Sequence, residues 1–541
     1  MTRRSDARRP TAAATLLAIV AAVLAAPAQP ATAQPAPPRA AGIAWAPCPD
    51  EVISTVAEDE RDLYSCGSFP VPLDHARPGG ETIVIKLVRR AAADPDRRIG
   101  PLFAAFGGPG LSGAFVSVNA PHLFQDDVLD RFDVIGLVPR GSLLHCFDSG
   151  EHEADVRGRM ASVPVTGDEV SSALAARAEY AEACGNNGGE LIEHLSTANA
   201  ARDLDLLRAA QGEERITLLA ISYGTLIGAT YVNLYPQHVR AAVLVSPVDA
   251  ELRTTRPLAY DRQRAQGTED ALDRLLRECA EAGEACSFGE GDPHAKFDRV
   301  RDRLREGPLE LGGGDVATLE SLTGMATYMV VRFSGMDPTP IDTFFAHLQA
   351  IYDAVEREGA GVDAAALEAA PTPSPAVSPA GAAARTGGAG DAADYADNAD
   401  SFYGTNCADR PYPRTPGVVP RLADRWEKEA PTFGRAQAFE QLPVCALWPV
   451  RPTDAYHGPW DTETDAPVVV LGNHFDGPTP FTFAERMADR LGDGRLIGVA
   501  DFGHLPLGTS ECADDAVTAY LTSLEVPDEE GLTCAPDAGL W

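Results

Sequence analysis

The chain has 541 residues, 45% of them hydrophobic and 23% charged, enough for one large domain with an insertion or for two to three average ones. Its formal net charge is −34, with lysine only at positions 86, 296 and 428. The acidic residues are spread along the chain, so the surface repels nucleic acid and anionic membranes and chiefly keeps the protein soluble.

In chain order, Arg3, Arg4, Arg8 and Arg9 form a positive region, and Thr11 to Ala26 is an uncharged run of small and aliphatic residues. Ala31-Thr32-Ala33 then offers small residues for cleavage before Gln34. This is the pattern of a secretory signal peptide over residues 1–33, and the run is too short for a membrane span. It predicts an extracellular, secreted protein with no membrane contact once the signal is removed. The ten cysteines all lie beyond it, and an even number in an exported chain reads as disulfides. The simplest connectivity pairs neighbours: Cys48 with Cys66, Cys146 with Cys184, Cys279 with Cys286, Cys407 with Cys445, and Cys512 with Cys534. Buried free thiols are the alternative. No CxxC pair and no paired-histidine spacing points to a metal.

Strands are predicted at Thr82–Val88, Leu102–Phe106, Val134–Val138, Ile216–Ile221, Ala242–Val245, Val468–Leu471 and Leu496–Val499. Several are continuous Val/Ile/Leu runs, as strands buried on both faces of a parallel sheet require. Ala198–Ala210 and Thr225–Tyr235 have helical spacing, giving the strand–helix alternation of an α/β doubly wound sheet. The alternation stops after Asp249. Residues 251–443 read mainly as helices, for example Thr268–Ala280 and Pro340–Arg357, before strands resume at Val468. An inserted helical cap is expected there, with the core split into residues 34–250 and 444–541. Within the cap, 359–397 is dominated by Ala, Gly, Pro, Thr and Ser and reads as a flexible loop.

Four segments carry chemistry. In ITLLAISYGTLIGATY (Ile216–Tyr231) an apolar strand runs into Ser222 and then a helix; such a sharp turn demands small residues on either side, here Ala220 and Gly224. Taken alone, Ser222 could equally be a helix cap. FAAFGGPGLSG (Phe103–Gly113) ends a strand in glycines, whose backbone N–H groups can approach a ligand closely. With the N–H of Tyr223, those of Gly107 or Gly108 would form an oxyanion hole. APVVVLGNHFDGPTP (Ala466–Pro480) presents Asp476, and GVADFGHLPLG (Gly498–Gly508) presents His504, each just after a strand. Serine, acid and histidine in that order is the order of the α/β-hydrolase fold. His474 is the rival base and Asp501 the rival acid.

With GGPGLSG (Gly107–Gly113), DLDLLR (Asp203–Arg208), SYGT (Ser222–Thr225), CAD (Cys407–Asp409) and CALWP (Cys445–Pro449), the sequence resembles the secreted tripeptidyl aminopeptidases and their proline-iminopeptidase relatives among the α/β-hydrolases. The resemblance spans nearly the whole mature chain. It implies release of di- or tripeptides from free N-termini, with the cap shaping the pocket. Two departures stand out. VPRGS (Val138–Ser142) has Val where the family carries Asp, and Ala220 replaces the glycine before the serine.

The expected chemistry is acyl transfer: Ser222 attacks a carbonyl, His504 takes its proton, Asp476 orients the imidazole, and water releases the acyl group. No cofactor is needed, and the expected protein is a monomer acting on a peptide or a small ester or amide. The alternatives are an esterase or amidase with the same triad, and a non-catalytic binding protein on a hydrolase scaffold.

Overall fold

The computed structural model describes residues 42–332, 339–360, 395, 398–528 and 531–541. The signal-peptide expectation and nearly all of the low-complexity segment at 359–397 lie outside the described residues.

The strands are β1 (Ala44–Ala46), β2 (Tyr64–Pro72), β3 (Thr82–Arg90), β4 (Gly100–Ala105), β5 (Phe132–Leu137), β6 (Ile216–Ile221), β7 (Val239–Val245), β8 (Leu309–Gly312), β9 (Asp315–Ala317), β10 (Val468–Phe475), β11 (Gly494–Phe502) and β12 (Leu532–Cys534). Ten form one sheet in the order β1-β2-β3-β5-β4-β6-β7-β10-β11-β12. The pairs from β1 to β5 are antiparallel, and those from β5 to β12 are parallel. Helices cover both faces of the parallel half, and the pleat decides which side chain meets which layer. Phe103, Leu218, Ala220, Leu244 and Val470 point to one face, against the helices Thr197–Ala210 and Gly224–Leu234. Their neighbours Leu102, Leu219, Ile221, Val243 and Leu471 point to the other, against the helix Glu511–Ser523.

All seven strands expected from the sequence form. The strands not anticipated are short or carry breakers. β2 contains Pro70 and Pro72, tolerated because the three-residue β1 pairs only with Cys66–Ser68 and leaves the proline end of β2 at the sheet edge.

Between β7 and β10 the described residues form helices joined by loops, with one hairpin of β8 and β9. The helices Pro257–Ala282, Pro293–Glu306, Leu319–Val331 and Ile341–Gly359 gather around a core that includes Leu272, Leu276, Phe297, Leu322, Phe344 and Leu348, whereas the helices Ala399–Asp409 and Val419–Trp426 pack with Leu144, Tyr180 and Leu195. The helix expected at Thr268–Ala280 is longer, running from Pro257 to Ala282, because proline is well placed at a helix start. The ten cysteines pair with their sequence neighbours: Cys48–Cys66, Cys146–Cys184, Cys279–Cys286, Cys407–Cys445 and Cys512–Cys534. Among the described residues no helix is long and apolar enough to cross a membrane.

Candidate active site

Ser222 stands between β6 and the helix Gly224–Leu234 with φ at +58°. A side chain in the left-handed region costs roughly 1–3 kcal/mol, and such strain collects at functional positions. The turn is possible because its neighbours are small. A methyl group on Gly224 would lie 2.3 Å from the Ala105 carbonyl oxygen. The methyl of Ala220, where the family has glycine, lies against Gly228 in the next helix: a Cβ there would be 3.0 Å from that of Ala220. Gly228 therefore makes the room that Ala220 needs.

Gly107, at the end of β4, backs onto Ser222. A Cβ on it would sit 2.7 Å from the serine Cβ and 2.9 Å from Oγ, so only glycine brings this backbone so close. Gly108 and Gly110 both have positive φ, +100° and +99°. Tyr223 opens the helix that follows Ser222, and its side chain is buried.

Asp476 and His504 follow the ends of β10 and β11, which are neighbours in the sheet. His504 Nδ1 lies 2.8 Å from Asp476 Oδ2 and 3.1 Å from Oδ1, and both residues are buried. Thr479 steadies the carboxylate, its N–H donating to Oδ1 at 2.9 Å and its hydroxyl to Oδ2 at 2.8 Å. Asp476 can thus hold the imidazole with Nδ1–H donating to it, the tautomer in which Nε2 is the basic nitrogen.

The serine turn and the histidine loop are tied through β7. The Ser222 N–H donates to Val245 O at 2.9 Å. The next residue, Ser246, also has positive φ (+48°). Its N–H donates to Leu471 O at 2.7 Å, and its hydroxyl donates to His504 O at 2.5 Å. Asn473 Nδ2 donates to Gly503 O at 2.9 Å. Thr479, Ser246 and Asn473 escaped the sequence reading. Only Thr479 left a signal there, since a threonine three residues after an aspartate is poised to bond it.

The rivals are engaged elsewhere. Asp501 Oδ1 accepts the Phe502 N–H at 2.8 Å, and burial pushes its carboxyl up. His474 stacks on Phe481 with ring centroids 4.1 Å apart. The VPRGS and DLDLLR segments meet: buried Arg140 forks onto buried Asp203 at 2.8 and 2.6 Å. A groove of about 860 Å³ beside this pair is lined by His75, His194, Asn199, Arg202 and Asp454 among others, and by none of Ser222, Asp476 and His504. Among the described residues no group of three His, Cys, Asp or Glu side chains could hold a metal ion.

Residues 106–289 match the family model described as alpha/beta hydrolase fold, and residues 430–534 match the one described as TAP-like protein. Tripeptidyl aminopeptidase of Streptomyces coelicolor is 29% identical over 490 residues, covering 87% of this chain and 83% of its own. Serine protease Hip1 of Mycobacterium tuberculosis is 27% identical, covering 85% and 86%, and carboxylesterase B of the same organism is 28% identical, covering 91% and 90%. Among solved structures, proline iminopeptidase of Mycobacterium smegmatis aligns with 15% identity and a TM-score of 0.35 over 84% of this chain and 98% of that one. The chain is a serine hydrolase of the α/β-hydrolase fold, similar over most of its length to tripeptidyl aminopeptidase and serine protease Hip1.

Proposed function

We propose that the protein is an exported serine peptidase that releases di- or tripeptides from free N-termini, with Ser222 as nucleophile, His504 as base and Asp476 as the acid that orients it. The observation that carries this reading is the buried Asp476–His504 pair at 2.8 Å, on a loop hydrogen-bonded to the strand next to a serine with positive φ. The hydroxyl of Ser222 attacks the scissile carbonyl as its proton passes to His504 Nε2. The oxyanion takes N–H bonds from Tyr223 and from Gly107 or Gly108; His504 then gives its proton to the leaving amine as the C–N bond breaks, and water, deprotonated by His504, hydrolyses the acyl-serine ester and frees Ser222.

A peptidase acting on free N-termini must hold an ammonium, and the cap proposed for residues 251–443 is rich in the carboxylates this needs. Relatives named tripeptidyl aminopeptidase and serine protease support the peptide reading. The relative named carboxylesterase B supports a second reading, an esterase or amidase with the same triad and an uncharged pocket. Five disulfides support export, since such bonds persist in oxidising compartments.

Free and N-blocked tripeptide p-nitroanilides assayed beside p-nitrophenyl esters, with wild type and Ser222→Ala, separate these readings. Cleavage of free but not blocked peptides is expected, with no turnover by Ser222→Ala. Equal cleavage of blocked and free peptides would exclude amine recognition, and ester turnover alone would establish the second reading.

A further inference from the structure

One helix bears on both sides of the proposed oxyanion hole, on the glycine loop through Gly110 and on Tyr223 by way of Thr197. The helix Ala399–Asp409 begins against the glycine loop: the Asn398 N–H donates to Gly110 O at 2.9 Å. A Cβ on Gly110 would lie 2.4 Å from Asn398 O and 2.9 Å from the Ser401 Cβ. The helix ends in Asp409, which is buried together with Thr197 and Tyr223. The Thr197 N–H donates to Asp409 Oδ1 at 2.8 Å, and the Thr197 hydroxyl donates to Oδ2. The Tyr223 hydroxyl lies 2.5 Å from the Thr197 hydroxyl oxygen. Because that threonine proton is directed to the carboxylate, the tyrosine proton is left to point at the threonine oxygen. Two hydroxyls in series thus donate toward one anion, an arrangement in which each bond strengthens the next.

Tyr223 is the residue whose backbone N–H would bind the oxyanion. That N–H and the anchored ring share one Cα, at the start of a helix (φ −53°, ψ −34°), so a shift of the phenol is passed to the peptide. An α-helix of eleven residues is a rod on the order of 16 Å long. It fixes the spacing between a glycine loop held at one end and a tyrosine held at the other.

We propose that Asp409, acting through Thr197 and Tyr223, is a positioning residue for the oxyanion hole, and that the helix Ala399–Asp409 sets the separation of its two N–H donors. The proposal rests on the reading of Ser222 as nucleophile with Tyr223 N–H as a donor. It extends that reading from groups that touch substrate to a carboxylate that does not. Other charged groups bearing on Asp409 are Arg253, which favours its ionised form, and Asp454, which opposes it.

The test uses the full chain, a fluorophosphonate to count active serines, and an ester substrate that needs no amine recognition. Asp409→Asn, Thr197→Val and Tyr223→Phe are each expected to lower kcat per labelled site about 10-fold with KM within about 2-fold. Affinity for a boronic acid, whose adduct is tetrahedral, should fall by the same factor. The double variant Asp409→Asn/Tyr223→Phe should be no worse than its weaker parent. Thr197→Ser, which keeps the hydroxyl, should restore most of the activity and keeps the test open if Asp409→Asn fails to fold. A merely structural role would reduce the number of labelled sites and leave kcat per site intact, which would overturn the proposal, as would losses that multiply in the double variant. Wild type that takes no label at Ser222 would instead remove the reading beneath it.

Discussion

The carboxyl edge of the sheet and the helical segment between β7 and β10 hold their buried charges in opposite ways. At the sheet edge the partners are neighbours by construction: Asp476 is bonded by Thr479, three residues on, and meets His504 because β10 and β11 lie side by side. In the helical segment the partners come from far apart. Arg410, almost fully buried, donates to Asp261 and Gln441, while the Tyr412 hydroxyl donates to the second Asp261 oxygen at 2.7 Å. Arg157 reaches Asp400 at 2.7 Å from the other side of β6 and β7 in the sequence. Apolar strands place the chemistry, whereas buried polar pairs place the helices over it. Changes at the edge should therefore cost activity, and changes in the helical segment should cost stability, except at Asp409, whose link to Tyr223 carries its effect to kcat.

The largest effect should come from the edge. Ser222→Ala is expected to lower hydrolysis about 10⁴- to 10⁶-fold while leaving thermal unfolding within a few degrees of wild type; a melt and a p-nitroanilide assay on one preparation check both. Gly107→Ala comes next, because its methyl cannot coexist with the serine 2.7 Å away. A loss of roughly 100- to 1000-fold in kcat, the worth of one oxyanion donor, is expected, and an alanine variant as active as wild type would remove this loop from the site.

In the helical segment, Arg410→Met leaves Asp261 buried without its cation, and such breaks cost about 3–5 kcal/mol. Denaturant titration should show that loss while kcat per labelled serine stays close to wild type. The smallest effect concerns Asp409, whose carboxyl burial pushes up from its ordinary 3.8 to about 6. The folded state then holds that proton more tightly than the unfolded chain, so ionisation makes stability fall as pH rises from about 4 to about 6. A shift of this size is worth about 3 kcal/mol. Asp409→Asn lacks this loss, so its melting temperature relative to wild type should climb between pH 4 and pH 7; a pH-independent difference would contradict the burial argument.

The same contrast explains what the sequence revealed. The parallel strands from β5 to β10 were legible because they are apolar runs buried on both faces. The loops carrying Ser222, Asp476 and His504 were legible because each follows such a strand. Two groups of features were not. β2 was hidden by Pro70 and Pro72, whose cost vanishes only because β1 is too short to reach them. The partners of Arg410, Asp400 and Asp409 were hidden because a buried ion pair has no spacing rule, and nothing near Asp409 in the sequence points to Thr197. At the two departures, Val138 and Ala220, Arg140 nearby still forks onto Asp203 and Gly228 makes room for the methyl of Ala220.

The proposed chemistry depends most on Ser222 being the nucleophile activated by His504. Labelling the full chain with a fluorophosphonate and mapping the adduct by peptide mass spectrometry tests it directly. One adduct on Ser222 is predicted, formed at least about a hundredfold more slowly in His504→Ala, in line with the usual worth of a general base. An adduct on any other residue, or one on Ser222 that forms as fast without His504, would contradict it.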